Sequence, residues 1–188
     1  LSKVHDTNNI EFCCRNWGLK STDLNQGVVY GFHTKETMLD EKLQTSFHYD
    51  EVFGTVINRF ICQSVVGKDL TVYGKGSQKR GYLNISDTIN CVNIAATNPA
   101  KKSEFRVFNQ YTEVLSINEI ADKVIKAAST VGIKTKKKNI SNPRYEQEDH
   151  YYKPTNTSLI KLGLDPIYIN EKILAEMITK VVIIITIP

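Results

Sequence analysis

Apolar positions Val4, Ile10, Phe12, Cys13 and Trp17 recur at loose helical spacing from about Ser2, and Gly18 follows as a residue able to take the left-handed turn that ends a helix. Residues 21–30 alternate into a compact apolar run, Leu24 and then Val28, Val29 and Tyr30, interrupted by Gly27 and closed by Gly31. This pattern predicts a strand leading into a loop. Residues 31–49 are polar and aperiodic, which predicts a long surface excursion. Near-helical spacing returns at Val56, Ile57, Phe60, Ile61, Val65 and Val66, with Gly54-Thr55 marking the start. Next come a short apolar strand at Thr71–Tyr73, a glycine-rich basic turn and a second short strand. The helix after it should be capped by Ser86-Asp87, run through Asn98 and turn Ile89, Val92, Ile94 and Ala95 inward.

Further on, Glu104–Asn109 alternates as a strand, and Ser116-Ile-Asn-Glu119 is a capping box. The helix it opens extends through about Val131, with Ile117, Ile120, Ala121, Val124 and Ile125 on its buried side. Residues 133–140 predict a basic edge strand whose lysines oppose pairing with other chains. Two closing helices are expected over 155–163 and 169–182, the first ended by Gly163. The apolar run 181–188 is far shorter than the roughly 18 residues that span a bilayer, and reads as the end of a core helix or strand. Strands and helices mix along the chain without internal repeats, an α/β pattern.

Composition narrows the class. The 188 residues, 41% hydrophobic and 23% charged, suit one soluble globular domain rather than a disordered chain. The net charge of +4 is mild, and much of the excess lies in the glycine-rich turn and in Lys134 with Lys136–Lys138. A nucleic-acid binder would carry a basic face interleaved with stacking aromatics, which this chain lacks. Cys13, Cys14, Cys62 and Cys91 have neither Cys-x-x-Cys spacing nor the density of a secreted scaffold, so a reducing compartment is expected, the cytoplasm or, in a plant or alga, the plastid. His5, His33, His48 and His150 are scattered without metal-ligand spacing, and no metal is expected. Asn84, Asn139 and Asn156 open glycosylation sequons that matter only in a secreted protein. The chain starts inside a helical pattern without Met or a leader, which points to a fragment.

The segment Thr71–Asp87 concentrates candidate chemistry. Gly74, Gly76 and Gly81 allow close backbone approach, and Lys75, Lys79 and Arg80 gather positive charge, a combination that suits a phosphate or diphosphate. The spacing is not that of a P-loop or of a dinucleotide fingerprint, and an ordinary turn with solvated lysines has the same composition. Asn25-Gln26 sits where α/β proteins place ligand contacts, outside the carboxyl end of a strand, or else forms a capped turn. Thr55 opens a helix whose free N–H groups favour an anion, or is simply its cap. Arg144, after Pro143 and among acids, can clamp a diphosphate bidentately or pair with those acids at the surface.

Leu24-Asn-Gln, Thr71-Val-Tyr-Gly-Lys-Gly, Arg80-Gly-Tyr-Leu and Phe105-Arg-Val-Phe-Asn together resemble the C-terminal half of the extended short-chain dehydrogenases that act on nucleotide sugars. Thr22–Gly31, Tyr73–Leu83, Glu104–Gln110, Asn142-Pro-Arg144 and His150-Tyr-Tyr152 are more closely similar to the UDP-sulfoquinovose synthase family, and the match covers nearly the whole chain. The resemblance implies an α/β fold made of the last Rossmann elements plus the small α/β substrate-binding domain. Residues 1–30 would be the catalytic helix and following strand of a truncated NAD-binding domain, and 31–188 mostly the nucleotide-sugar-binding region with interleaved Rossmann elements. It also implies an enzyme that uses NAD, UDP-glucose and sulfite: oxidation at sugar C4, loss of water from C5 and C6, sulfite addition at C6 and hydride return, feeding sulfolipid biosynthesis.

By the same resemblance Lys3 is the lysine of a Tyr-x-x-x-Lys motif whose tyrosine would sit two residues before Leu1, and a chain without it should not turn over. Lys3, Asn25 and Gln26 would meet the cofactor. Gln26, Thr55, Thr71, Val72, Tyr73, Arg80, Arg144 and Glu146 would meet the substrate, with Arg80 and Arg144 on the diphosphate, Thr71–Tyr73 on the uridine and Glu146 on a ribose hydroxyl. The helix Ser2–Gly18 would carry a homodimer interface. The family has Asp and Arg where this chain has Asn84 and Ser86, and its closing helix is less apolar than residues 174–188. Another NAD-dependent nucleotide-sugar epimerase or dehydratase, and a non-catalytic nucleotide-sugar-binding protein, are the competing functions.

Overall fold

The computed structural model describes residues 1–43, 46–50, 53–143 and 152–186. In chain order the elements are α1 (Ser2–Trp17), β1 (Ser21–Gln26), β2 (Val28–Tyr30), α2 (Val56–Val65), β3 (Leu70–Tyr73), β4 (Lys79–Asn84), α3 (Ile85–Thr97), β5 (Phe105–Gln110), β6 (Glu113–Ser116), α4 (Ile117–Thr130), β7 (Lys137–Ile140), α5 (Thr157–Lys161) and α6 (Glu171–Thr186). Strands β1 and β5 form a parallel pair, β2 and β4 are parallel with β6 antiparallel to β4, and β3 and β7 form a second parallel pair.

Helix starts follow local chemistry. Thr55 caps α2, its side chain accepting the N–H of Asn58 at 3.5 Å. Ser116 Oγ accepts the N–H of Glu119 at 3.2 Å while Glu119 Oε2 accepts the N–H of Ser116 at 2.7 Å, so the capping box of α4 is complete. Those bonds hold the Glu119 carboxyl below its ordinary range. Each helix then buries one face: Ile57, Phe60, Ile61 and Ser64 on α2, Ile120, Ala121, Val124, Ala127 and Ala128 on α4, and Leu174, Met177, Ile178 and Val181 on α6. Together with Tyr30, Leu70, Val72 and Tyr82 these faces make the main core, where each large aliphatic side chain stabilises by about 1.5–3 kcal/mol. A smaller cluster, Leu83, Cys91, Phe108, Leu159 and Leu164, lies under α3 and α5.

Three expectations change. The apolar run 21–30 is not one strand but two, in different sheets, divided at Gly27. Gly27 N–H donates to Gln110 O at 2.9 Å as the chain crosses, and Thr112 N–H donates to Tyr82 O at 2.8 Å where the partner strand crosses beside it. Helix α3 is capped two residues earlier than expected, by Asn84, whose Oδ1 accepts the N–H of Ser86 at 2.9 Å. Its Ile89 and Val92 are 47% and 53% exposed while Asp87 and Cys91 point inward, because the face turned to the core is the one that reaches the segment before α6. Finally, Val181 is buried but Ile183, Ile184 and Ile185 are half exposed, so the apolar end of α6 is only partly core. Among its described residues the polar stretch after β2 is irregular apart from a 3₁₀ turn at Glu41–Leu43, and Phe32 stacks on Phe47 with ring centroids 4.1 Å apart. Among the described residues no helix is long and apolar enough to cross a membrane, and no group of His, Cys, Asp or Glu is placed to hold a metal.

The segment leading into α6 is held by buried polar groups from four elements. Asp87 Oδ2 accepts the N–H of Ile167 at 2.8 Å, Glu113 accepts the N–H of Ile169, Tyr30 donates to Ile167 O at 3.1 Å and Lys123 donates to Ile169 O at 3.1 Å. Burial raises both carboxyls above their ordinary range, opposed by these backbone bonds, and Asp87 Oδ1 has no hydrogen-bond partner among the described residues. A carboxyl whose folded value is raised adds stability below its unfolded pKa and loses that contribution as pH rises through the folded value. Asp87→Asn should therefore gain stability relative to the parent as pH rises above the ordinary carboxylate range of about 4, read as a difference in melting temperature that grows with pH; a difference constant with pH would exclude this role. At the strand crossing, a Cβ on Gly27 would lie 2.5 Å from Gly81 O, a main-chain atom that cannot swing aside. Gly27→Ala should destabilise by about 1–3 kcal/mol in chemical denaturation.

Candidate functional site

The crossing of strands from one sheet to the other opens two adjoining clefts, which share Gln26 and Gly27. The first, of ≈ 460 Å³, is within the size range of small-molecule sites. Gln26 and the start of β2 form one wall, and Asp50, Thr55 and Arg59 form the side toward α2. Tyr73 comes from β3, Arg80 and Tyr82 from β4, and Gln78 from the turn between those strands. Arg80 and Tyr82 fall on one side of β4 because strand residues two apart share a face. The second cleft, of ≈ 780 Å³, runs beside α1 along the whole of β1, from Ser21 to Gln26, and reaches Asn109 near the carboxyl end of β5. Lys3, Asp6 and Thr7 reach it from α1, Asn25 and Gln26 from β1, and Asn109, Tyr111 and Tyr152 from the opposite side.

Of the residues singled out in the sequence, Gln26, Thr55, Tyr73 and Arg80 converge on the first cleft, and Lys3, Asn25 and Gln26 on the second. Asn25 Nδ2 is 3.5 Å from Asn109 Oδ1, which ties the ends of the two parallel strands. Thr71 and Val72 do not line either cleft. Strand β3 alternates, so Val72 is fully buried in the core, and Thr71 is occupied by α2: Arg59 donates to its carbonyl at 2.9 Å and to its hydroxyl, and Gln63 Nε2 donates to the hydroxyl at 2.8 Å. Arg144 and Glu146 lie outside the described residues.

Arg59, Gln78 and Tyr82 are additions to the expected set. The Arg59 guanidinium lies 4.4 Å from the centroid of the Tyr73 ring. Gln78 is almost fully buried and donates to Tyr73 O at 3.4 Å. Burial pushes the Tyr82 phenol well above its ordinary value, so it stays protonated. Gln78 falls inside a motif already noted and Tyr82 alternates with Arg80, whereas Arg59 is embedded in the apolar run of α2; its one signal is the turn-length spacing to Gln63. Around the clefts two guanidiniums, a lysine, side-chain amides and hydroxyls stand with the carboxylates of Asp6, Asp23 and Asp50, a mixed set suited to a ligand that carries both anionic groups and hydroxyls. Burial raises the thiols of Cys62 and Cys91 to about 11, which leaves them protonated and without nucleophilic character at neutral pH.

Residues 41–109 match the family described as NAD dependent epimerase/dehydratase. The chain is 52% identical over 178 residues to the chloroplastic UDP-sulfoquinovose synthase of Spinacia oleracea, a stretch that is 95% of this chain and 37% of that protein. It is 42% identical over 165 residues to the UDP-sulfoquinovose synthase of Sulfolobus acidocaldarius, covering 88% of this chain and 42% of the relative. The chain thus spans about two fifths of the length of these curated relatives. Among solved structures, the UDP-glucose 4-epimerase of Thermotoga maritima with UDP-glucose superposes with a TM-score of 0.72 at 18% identity, over 97% of this chain and 52% of the other. The fold is that of part of an NAD-dependent epimerase/dehydratase, and over nearly its whole length the chain is similar to UDP-sulfoquinovose synthases.

Proposed function

We propose that the chain is the nucleotide-sugar-binding portion of a UDP-sulfoquinovose synthase, which converts UDP-glucose and sulfite to UDP-sulfoquinovose and water with NAD as cofactor. The observation that carries this reading is the convergence of Gln26, Thr55, Tyr73 and Arg80 on one cleft that adjoins, through Gln26 and Gly27, a second cleft bearing Lys3 and Asn25. The names of the relatives at 52% and 42% identity select the reaction among those this fold supports. In the first cleft, Arg80 and the start of α2 at Thr55 offer charge and free N–H groups to a diphosphate, and Tyr73 offers an aromatic wall to the base.

The second cleft suits NAD in its reach to Gln26 and Asn109, near the carboxyl ends of β1 and β5, and in its hydroxyl-binding donor set, Lys3, Asn25 and Gln26. When bound there, NAD supplies a hydride acceptor and donor. Lys3 would bond a ribose hydroxyl and lower the pKa of a tyrosine from the longer protein, four positions before it in the motif. Gln26, common to both clefts, would orient the sugar between them. Thr71 and Val72 would serve the uridine only indirectly, through the strand that carries Tyr73. Arg144 and Glu146 remain proposed ligands of the diphosphate and a ribose. Residues 1–30 would belong with the cofactor domain and 31–188 mostly with the substrate domain. The exposed Val4, Phe12 and Trp17 support α1 as a surface between copies in a homodimer. Four unpaired thiols suit a reducing compartment, cytoplasm or plastid.

The longer protein carrying this chain should form UDP-sulfoquinovose from UDP-glucose only when sulfite is present. Epimerised UDP-sugar formed without regard to sulfite would replace this reading by that of an epimerase. In that protein Arg80→Ala should raise KM for UDP-glucose about 10- to 100-fold, the cost of one charge-assisted hydrogen bond to phosphate, and unchanged kinetics would remove Arg80 from the site.

A further inference from the structure

Helix α2 turns one face toward β3, and on that face Arg59 and Gln63, one turn apart, both bond Thr71. Gln63 Oε1 also accepts the N–H of Thr71 at 3.0 Å, so both main-chain groups of Thr71 are held by side chains of α2. The guanidinium of Arg59 is therefore fixed by more than its charge. From that anchor it lies 4.4 Å from the Tyr73 ring centroid, and both residues line the first cleft. Gln78, nearly fully buried, bonds the Tyr73 carbonyl from the other side. A ring held by a guanidinium over one face and fixed at its backbone keeps its place without a ligand, which is the condition for a preorganised stacking wall.

We propose that Arg59 is a positioning residue for the nucleobase, acting through Tyr73: the anchored guanidinium holds the tyrosine ring as the wall against which the uracil of the nucleotide sugar lies. This inference rests on the nucleotide-sugar reading of the first cleft. Arg80 remains the phosphate cation, and Arg59 sets base affinity instead. A planar guanidinium stacks on an aromatic face where a lysine ammonium cannot reproduce the geometry, so the role depends on arginine rather than on positive charge.

The test is calorimetric titration of this chain with UDP, with melting temperature measured for every variant. Arg59→Met and Arg59→Lys should each weaken UDP binding about 5- to 10-fold, the loss expected of one stacking contact. In a Tyr73→Leu background the same Arg59 changes should cost nothing further, while in Tyr73→Phe, which keeps the ring, they should cost as much as in the parent. Full affinity in Arg59→Lys identifies a plain phosphate cation and overturns the proposal. Additive losses in the Tyr73→Leu background overturn it as well, since Arg59 would then act independently of the ring. If the parent chain fails to bind UDP while melting cooperatively, the nucleotide-sugar reading falls and this inference with it; if the parent binds and only the Arg59 arms disagree, the reading stands and the inference alone is lost.

Discussion

At Gly27 and Gly81 two stretches of backbone pass so close that a Cβ on Gly27 would lie 2.5 Å from Gly81 O. There the chain leaves the parallel pair β1–β5 and enters the mixed sheet β2–β4–β6, and the two glycines let the sheets meet without side chains between them. Gly81 leaves room for a side chain instead, since a Cβ there would lie 2.9 Å from the Tyr111 ring. Gly27 of this contact, with Gln26 beside it, lines both clefts as their common edge. A bulkier junction would separate the clefts. A reaction needing a cofactor and a sugar at one carbon needs them to adjoin.

Features set within a few residues were legible in the sequence. The capping box at Ser116 and Glu119, the Thr55 cap and the Gly18 stop depend on side chains and φ angles within one turn, and each is found where the pattern puts it. Helix α3 was not legible in the same way. Its apolar residues are spread around the helix, so periodicity alone does not choose a face; the choice is made by Asp87 bonding Ile167, a partner 80 positions away. The division of residues 21–30 into two sheets has the same cause. Gly27 was visible as an interruption, but the strand it would meet was not.

The candidate site divides along the same line. Gln26, Thr55, Tyr73 and Arg80 carry recognisable types beside glycines, at strand ends or at a helix start, and they share one cleft. Val72 belongs to the same motif yet faces the core, because alternation along β3 sends neighbours to opposite sides. Arg59 was hidden by its apolar neighbours Ile57, Phe60 and Ile61, which mark α2 as a core helix, and its role emerges only once β3 lies alongside.

The contacts of Arg59 and Gln63 with Thr71 have a consequence for how the molecule behaves among copies of itself. Strand β3 pairs with β7 on one side, and its other side would otherwise offer an open main-chain N–H and C=O to any passing strand. Two side chains of α2 occupy both groups, standing in for a neighbouring strand. The protein thereby closes a sheet edge with a helix, and removes a template on which aggregation could begin.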